Sequence, residues 1–301
     1  MSSAATVPIA EFDVGPLTWV RGEIDQALAR AQADLAALRA APPDRAALER
    51  AAANVHQATG AIVMVGLDAV VPFGEEIERS IAALAAADAA TLGARCDAID
   101  RACRKLKVFL REIEEGVPLV ALKLFPEYEA MQRLRGVEFP AASDLFHPDL
   151  SLGTAPLRTI GGAGGDAALT HLAAHRRAFQ GGLLVWLRGD PAGAIAMRDA
   201  VAGIEALTAH PATRSFWWTV GALLEALAGG GLEPGLATKQ LAARIDMQIR
   251  RFVEGSRQVA ERLRREVLYQ VAISVPVSPA VREVQRAFRL AELLPSPASR
   301  R

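Results

Sequence analysis

Two cysteines, two tyrosines and an aromatic content of 5% are the scarcities of this 301-residue chain. Cys96 and Cys103 stand seven apart on one apparent helix, roughly 10 Å along its axis at 1.5 Å rise per residue. A disulfide needs Cα atoms within about 7 Å, so the two read as reduced core thiols. No C-x-x-C or clustered Cys/His set points to zinc, and no residue set calls for a metal or another cofactor. Net charge is also missing, with 34 basic against 34 acidic residues. No global field therefore draws in nucleic acid or anionic lipid. No run approaches the ~20 apolar residues that span a bilayer, and the first residues lack the basic and apolar segments of a secretion signal. A cytoplasmic protein is expected.

Hydrophobic residues nevertheless make up 51% of the chain, most of them alanine and leucine. Sheets favour β-branched and aromatic residues, whereas this mixture suits packed amphipathic helices. No stretch alternates with period two for long enough to require a strand. An all-α fold of two tandem antiparallel bundles follows.

Residues 1–15 read as a flexible leader, with Pro16 in the first helical turn. Helical spacing predicts helices over 17–41, from Asp44 to about Leu67, over 73–86, and from Asp88 to about Glu115, where Gly116 and Pro118 stop the chain. A further helix over 119–134 restarts at Pro126. Residues 16–135 thus form a four-helix bundle with a fifth helix leaning on it. Residues 136–165, rich in proline and glycine, read as a linker, an ordered crossing that ends in a flexible tract. Their G-G-A-G-G run has no following G-K-[ST] and is no phosphate loop. A second bundle covers 166–294, with helices over 166–188, 191–209, 213–228, 236–271 (broken near Gly255) and 279–294, before a tail at 295–301.

One stretch, V-H-Q-A-T-G-A-I-V-M-V-G-L, carries the candidate chemistry. His56 lies at the edge of the apolar stripe of its helix. Gly60, one turn later, removes side-chain bulk beside the ring, although glycine in a helix costs about 1 kcal/mol relative to alanine. A histidine with open space beside it on a bundle helix is what phosphotransfer needs. A short echo exists: A-T-G-A-I-V from Ala58 matches T-V-G-A-L-L from Thr219, which sets Trp217 over His56, Val220 over Thr59 and Gly221 over Gly60. Glu75, Glu76, Glu78 and Arg79 are expected to face mostly outward. Phe216, Trp217 and Trp218 suit a bundle core. His147, His171, His175 and His210 have no Asp or Cys partners at useful spacing and read as surface or linker residues. Eight basic residues between Lys239 and Arg265 stand against three acidic ones. That excess suggests a docking face for an acidic protein or a solvated helix; the aromatics of a nucleic-acid site are missing.

The His56 segment resembles the H-x-x-K-G motif of histidine phosphotransfer (HPt) domains, which are four-helix bundles. With F-G-E-E-I-E, L-V-A-L-K-L-F-P-E-Y-E-A-M-Q-R-L-R-G, D-L-F-H-P-D-L and F-W-W-T-V-G-A-L-L-E-A-L, the chain resembles more closely a larger group. These are the N-terminal regions of CheA-type chemosensory kinases of type IV pilus systems (ChpA/PilL) and the related FimL scaffold family. The resemblance runs from about Leu17 to Leu294. It implies HPt-like bundles, His56 as the phosphoacceptor position with Thr59 and Gly60 in support, and a pseudo-site at Trp217, Val220 and Gly221. It also implies partners within a chemosensory system that serves twitching motility: a response regulator or polar pilus-signalling proteins. The family motif has a lysine where this chain has Thr59. A hydroxyl brings no charge to a phosphoryl group whose transfer positive charge assists. The resemblance therefore implies a non-enzymatic scaffold, either a stand-alone adaptor or the front of a larger kinase, with an active phosphotransfer domain as the alternative. No ATP-binding kinase domain is legible.

Overall fold

The computed structural model describes residues 13–40, 44–156 and 166–296. Every regular element among them is helical, and the chain divides into two compact units, Met1–Leu145 and Phe146–Arg301. The leader's first twelve residues, Pro42 and Pro43, the G-G-A-G-G run and the last five residues lie outside the described residues.

In the first unit, α1 (Val14–Ala40), α2 (Arg45–Met64), α3 (Val71–Ala82) and α4 (Ala89–Glu114) close a ring, each packing on the next and α4 returning to α1. A shorter α5 (Phe125–Leu134) packs on α3 and α4. The core stripe of α1 is Leu17, Ile24, Leu28, Ala31, Leu35 and Leu38, all buried, as helical periodicity requires. This helix begins at Val14, two residues earlier than Pro16 suggests. Asp13 accepts the Gly15 amide, and the missing proline N–H is still one of the orphan donors of the first turn. Cys96 and Cys103 are buried on α4 and are not joined by a disulfide. Burial pushes the Cys103 thiol up to about 12, so it stays protonated and unreactive.

Caps set the helix starts. Asp44 accepts the Ala46 amide at 3.0 Å. Asp88 accepts both the amide and the hydroxyl of Thr91 at 2.7 Å. The Thr91 hydroxyl, then its amide, hold the Asp88 carboxyl below the ordinary carboxylate range. A carboxyl with a depressed folded pKa stabilises above its unfolded value and stops doing so as pH falls through the folded one. Amide-exchange protection in the first turn of α4 is therefore expected to be full at neutral pH and to decline below about pH 4. In Asp88→Ala it should be low at every pH; a wild-type profile flat to acid would contradict this cap. At the other end Gly116 takes φ +87°, the left-handed turn that ends α4.

The second unit is built around α8 (Pro211–Ala228). Before it come α6 (Asp166–Leu187) and α7 (Ala192–Ala206); after it come α9 (Leu236–Val253), α10 (Glu261–Ile273) and α11 (Pro279–Ala287). Helix α8 packs against α7, α10 and α11, while α6 packs on α7 and α9. The helix expected over 236–271 is two helices, separated where Gly255 adopts φ +98°. Residues 146–156, within the crossing, form a strap on this unit. Phe146 meets Tyr269 edge-on at 5.4 Å, Ser215 donates to the Gly153 carbonyl, and buried Arg214 donates to the Pro156 carbonyl. Gly153 lies against the Phe288 ring, where any Cβ would overlap it.

Candidate functional site

His56 projects from α2 with its side chain 80% exposed, and its Nδ1 lies 3.2 Å from Glu78 Oε2 on α3. With the proton on Nδ1, the imidazole donates to the carboxylate and leaves the Nε2 lone pair facing solvent. A Cβ added at Gly60 would meet nothing within 4 Å, so space is open where the periodicity placed it. These features suit a nucleophilic nitrogen.

Among the described residues, the nearby cations turn to other partners. Thr59 is buried, and its hydroxyl donates to the Val55 carbonyl of its own helix at 3.0 Å. The residue packs against Gly74 of α3, where a Cβ would lie 2.5 Å from the Thr59 oxygen. Thr59 thus belongs to the α2–α3 contact. Arg50 bonds to Asp34 and Gln57 accepts from Arg30, both on the α1 side of α2. Arg79 pairs with Glu75 and Glu76.

Glu76 corrects the expectation of an outward acidic face, for its side chain is 0% exposed. Arg135, one residue past α5, clamps it from Nε at 2.7 Å and from its terminal nitrogen at 3.0 Å. Ser80 and Gln132 donate to the same carboxylate at 3.3 and 3.4 Å, and Arg79 lies 3.3 Å away. A buried carboxylate persists because every lone pair is met by a donor. At 100° per residue, Glu76 falls about 60° from Phe73 on the core side of α3, the signal that marks it in the sequence. Glu75 is exposed and Glu78 partly so.

At the echoed position, Trp217 is 0% exposed, packed edge-on against Phe216 at 4.8 Å and Phe252 at 5.7 Å. Val220 is buried, and Gly221 has open space as Gly60 does. The alignment therefore joins an exposed position on α2 to a core position on α8. The reason is packing: neighbours surround α8, whereas α2 leaves its outer face to water. Trp218 is also core.

Of the remaining histidines, His171 and His210 are exposed, while His147 and His175 are half-buried. His210 caps α8, its Nδ1 accepting the Thr213 amide at 3.5 Å. His147 lies 2.7 Å from an Arg265 nitrogen. His175 packs where a Cβ on Gly203 would overlap its ring; burial, then His171, hold its pKa below the usual value. Three of the eight cations of the basic segment pair with carboxylates: Arg244 with Glu266, Arg250 with Glu254 and Arg265 with Glu261. Arg257 stacks over Phe252 at 4.4 Å. Among the described residues no group of three or more His, Cys, Asp or Glu is placed to hold a metal ion, and no helix is long and apolar enough to cross a membrane.

Residues 164–301 match the family model described as FimL scaffold protein second domain. A curated relative, Scaffold protein FimL of Pseudomonas aeruginosa, is 28% identical over 201 residues, 65% of this chain. That match spans 36% of the relative's own length, so the chain corresponds to about a third of it. No solved structure matches the chain. The all-helical chain is thus FimL-like, similar to the FimL scaffold protein by pairwise match and to its second domain by family model.

Proposed function

We propose that this protein is a non-enzymatic signalling scaffold in a type IV pilus chemosensory system, binding cytoplasmic partners such as a response regulator without passing phosphate. The observation that carries the proposal is the surroundings of His56. Thr59 stands inward in place of a lysine, and Arg30, Arg50 and Arg79 are each engaged elsewhere. Without a positive group at the transferring oxygens, the developing charge is left to water. The similarity to a protein named as a scaffold supports the same reading. Two helical units joined in one chain offer separate faces for separate partners.

One observation favours a second function, that of a working phosphotransfer domain. The Glu78 carboxylate at Nδ1 would hold the tautomer in which Nε2 attacks an aspartyl phosphate, forming the N–P bond as the O–P bond breaks.

Calorimetric titration with the receiver domain of the same system separates recognition from chemistry. The scaffold account expects wild type and His56→Gln to bind it with the same affinity, in the presence and absence of a phosphoryl mimic. A loss of about tenfold or more in His56→Gln would show that the imidazole belongs to the recognition chemistry and would count against a scaffold independent of it.

A further inference from the structure

We propose that the outer face shared by α6 and α9 is a docking surface for an amphipathic helix that carries glutamates or aspartates. This inference rests on the scaffold function and names one of its faces. Asp246 on α9 accepts from Gln180 at 3.2 Å and lies 3.5 Å from the Arg176 guanidinium, which sets the two helices side by side. They run antiparallel. Gly182 meets Gly193 and His175 meets Gly203, so α7 runs back along α6. Glu205 near the end of α7 pairs with Arg214 at the start of α8, and Thr213 donates to the Arg257 carbonyl just past the end of α9. Leu184 and Leu187, beyond Gln180, therefore stand at the same end as Leu236 and Lys239, which precede Asp246. At 100° per residue, Arg177, Leu184 and Arg188 fall within about 40° of one another, next to the side of α6 that Gln180 marks. On α9, Lys239 lies about 20° from Asp246 and Leu236 and Met247 about 80–100° from it, turned away from the core residues Ile245 and Ile249.

What this face presents to water is apolar and cationic. Leu184, Leu187, Leu236 and Met247 are 43–58% exposed, and apolar side chains grouped along one seam mark an interaction surface where scattered ones do not. Around them Arg177, Arg188, Lys239 and Arg251 are exposed and have no carboxylate partner among the described residues. The acids of α9 and its end are taken, Asp246 by Gln180 and Arg176 and Glu254 by Arg250. Glu233, exposed in the turn before α9, offsets one of the four cations. Leucine and methionine give an adaptable apolar seat for a helix, and free cations at its edges select an anionic partner and repel a cationic one. A second copy docking through the same face would set these cations against each other. A lipid surface calls for a continuous apolar face, whereas the exposed side of α6 carries two arginines. An acidic amphipathic helix meets both the leucines and the charge.

The full chain would be titrated into a labelled peptide of about 18 residues, long enough to be helical, with leucines at i, i+3, i+4 and i+7 and glutamates opposite. Anisotropy follows binding. The glutamate peptide should bind, and Leu184→Ser, Met247→Ser and Lys239→Glu should each weaken it about tenfold. Added salt should weaken wild type more than Lys239→Glu, and His56→Gln should bind as wild type does. The substituted side chains are exposed, so thermal unfolding of each variant should match wild type. No binding of the glutamate peptide, equal binding of the same peptide with lysines for glutamates, or indifference to Lys239→Glu would overturn the proposal. So would cosedimentation with phosphatidylglycerol vesicles that Leu184→Ser abolishes while the peptide stays free, which would assign the face to lipid. A dimer in sedimentation that Met247→Ser dissociates would assign it to a second copy and overturn the proposal likewise. Failure of this face leaves the scaffold function with its other surfaces, whereas histidine-dependent labelling by a receiver would defeat that function and leave the peptide result standing.

Discussion

Replacing Glu76 by alanine is expected to destabilise the first unit by about 3 kcal/mol, the scale of a buried ion pair broken from one side. The carboxylate is fully buried and receives both nitrogens of Arg135, with Ser80, Gln132 and Arg79 closing around it. Removing it leaves a guanidinium and an amide without their acceptor at the junction of α3 and α5. Residual solvent access to Arg135 keeps the loss below the top of the range. Glu76→Gln retains volume and one acceptor oxygen and should cost about 1–2 kcal/mol. Hydrogen exchange of α3 and α5 amides reads the difference. An alanine variant with unchanged protection in both helices would show that the clamp does not join them.

The second large effect falls on the α6–α7 hairpin. Gly193→Ala is expected to cost about 3 kcal/mol, at the upper end for overpacking a close contact. A Cβ there would strike the Gly182 carbonyl and the Trp186 backbone, and one at Gly182 would lie 2.8 Å from the Gly193 carbonyl. Backbone cannot rotate aside as a side chain does, so the helices must separate. Gly181 is the internal control: its Cβ position is open and it is helical. Gly181→Ala should therefore raise stability by about 0.5–1 kcal/mol. Trp186, buried beside the crossing, reports unfolding by its emission. Opposite signs for two glycines twelve residues apart are the expected result; equal signs would contradict the close approach.

The helices were legible because their ends are marked by local chemistry. Asp44, Asp88, Gly116 and the His210-Pro211 step announce boundaries in a few residues, and the leucine and alanine periodicity supplies what lies between them. What the sequence concealed depends on residues distant along it. The spacing of Glu76 from Phe73 marks its inward turn, but its partner, Arg135, comes 59 positions later and is not announced locally. The Arg244–Glu266 pair, which crosses from α9 to α10, is likewise a meeting of segments that local spacing does not announce. For residues 146–156 the crossing was legible but not the aromatic surface that receives it, because Tyr269 comes more than a hundred positions after Phe146. Within the candidate site, the accessible edge of His56 followed from periodicity. The Glu78 contact and the inward turn of Thr59 required the α2–α3 packing, in which Gly74 makes room for the threonine. Trp217 shows the limit of a short echo, because the aligned helices have different neighbours and so different exposed faces.

The central claim is that the bundle recognises partners without carrying phosphate on His56. The most direct measurement incubates the full chain with a receiver domain phosphorylated on its aspartate and follows acid-labile, base-stable label on wild type and His56→Gln. The scaffold account predicts no label above background on either protein. Stoichiometric label on wild type that disappears in His56→Gln would contradict it and make His56, held by Glu78, a working phosphoacceptor.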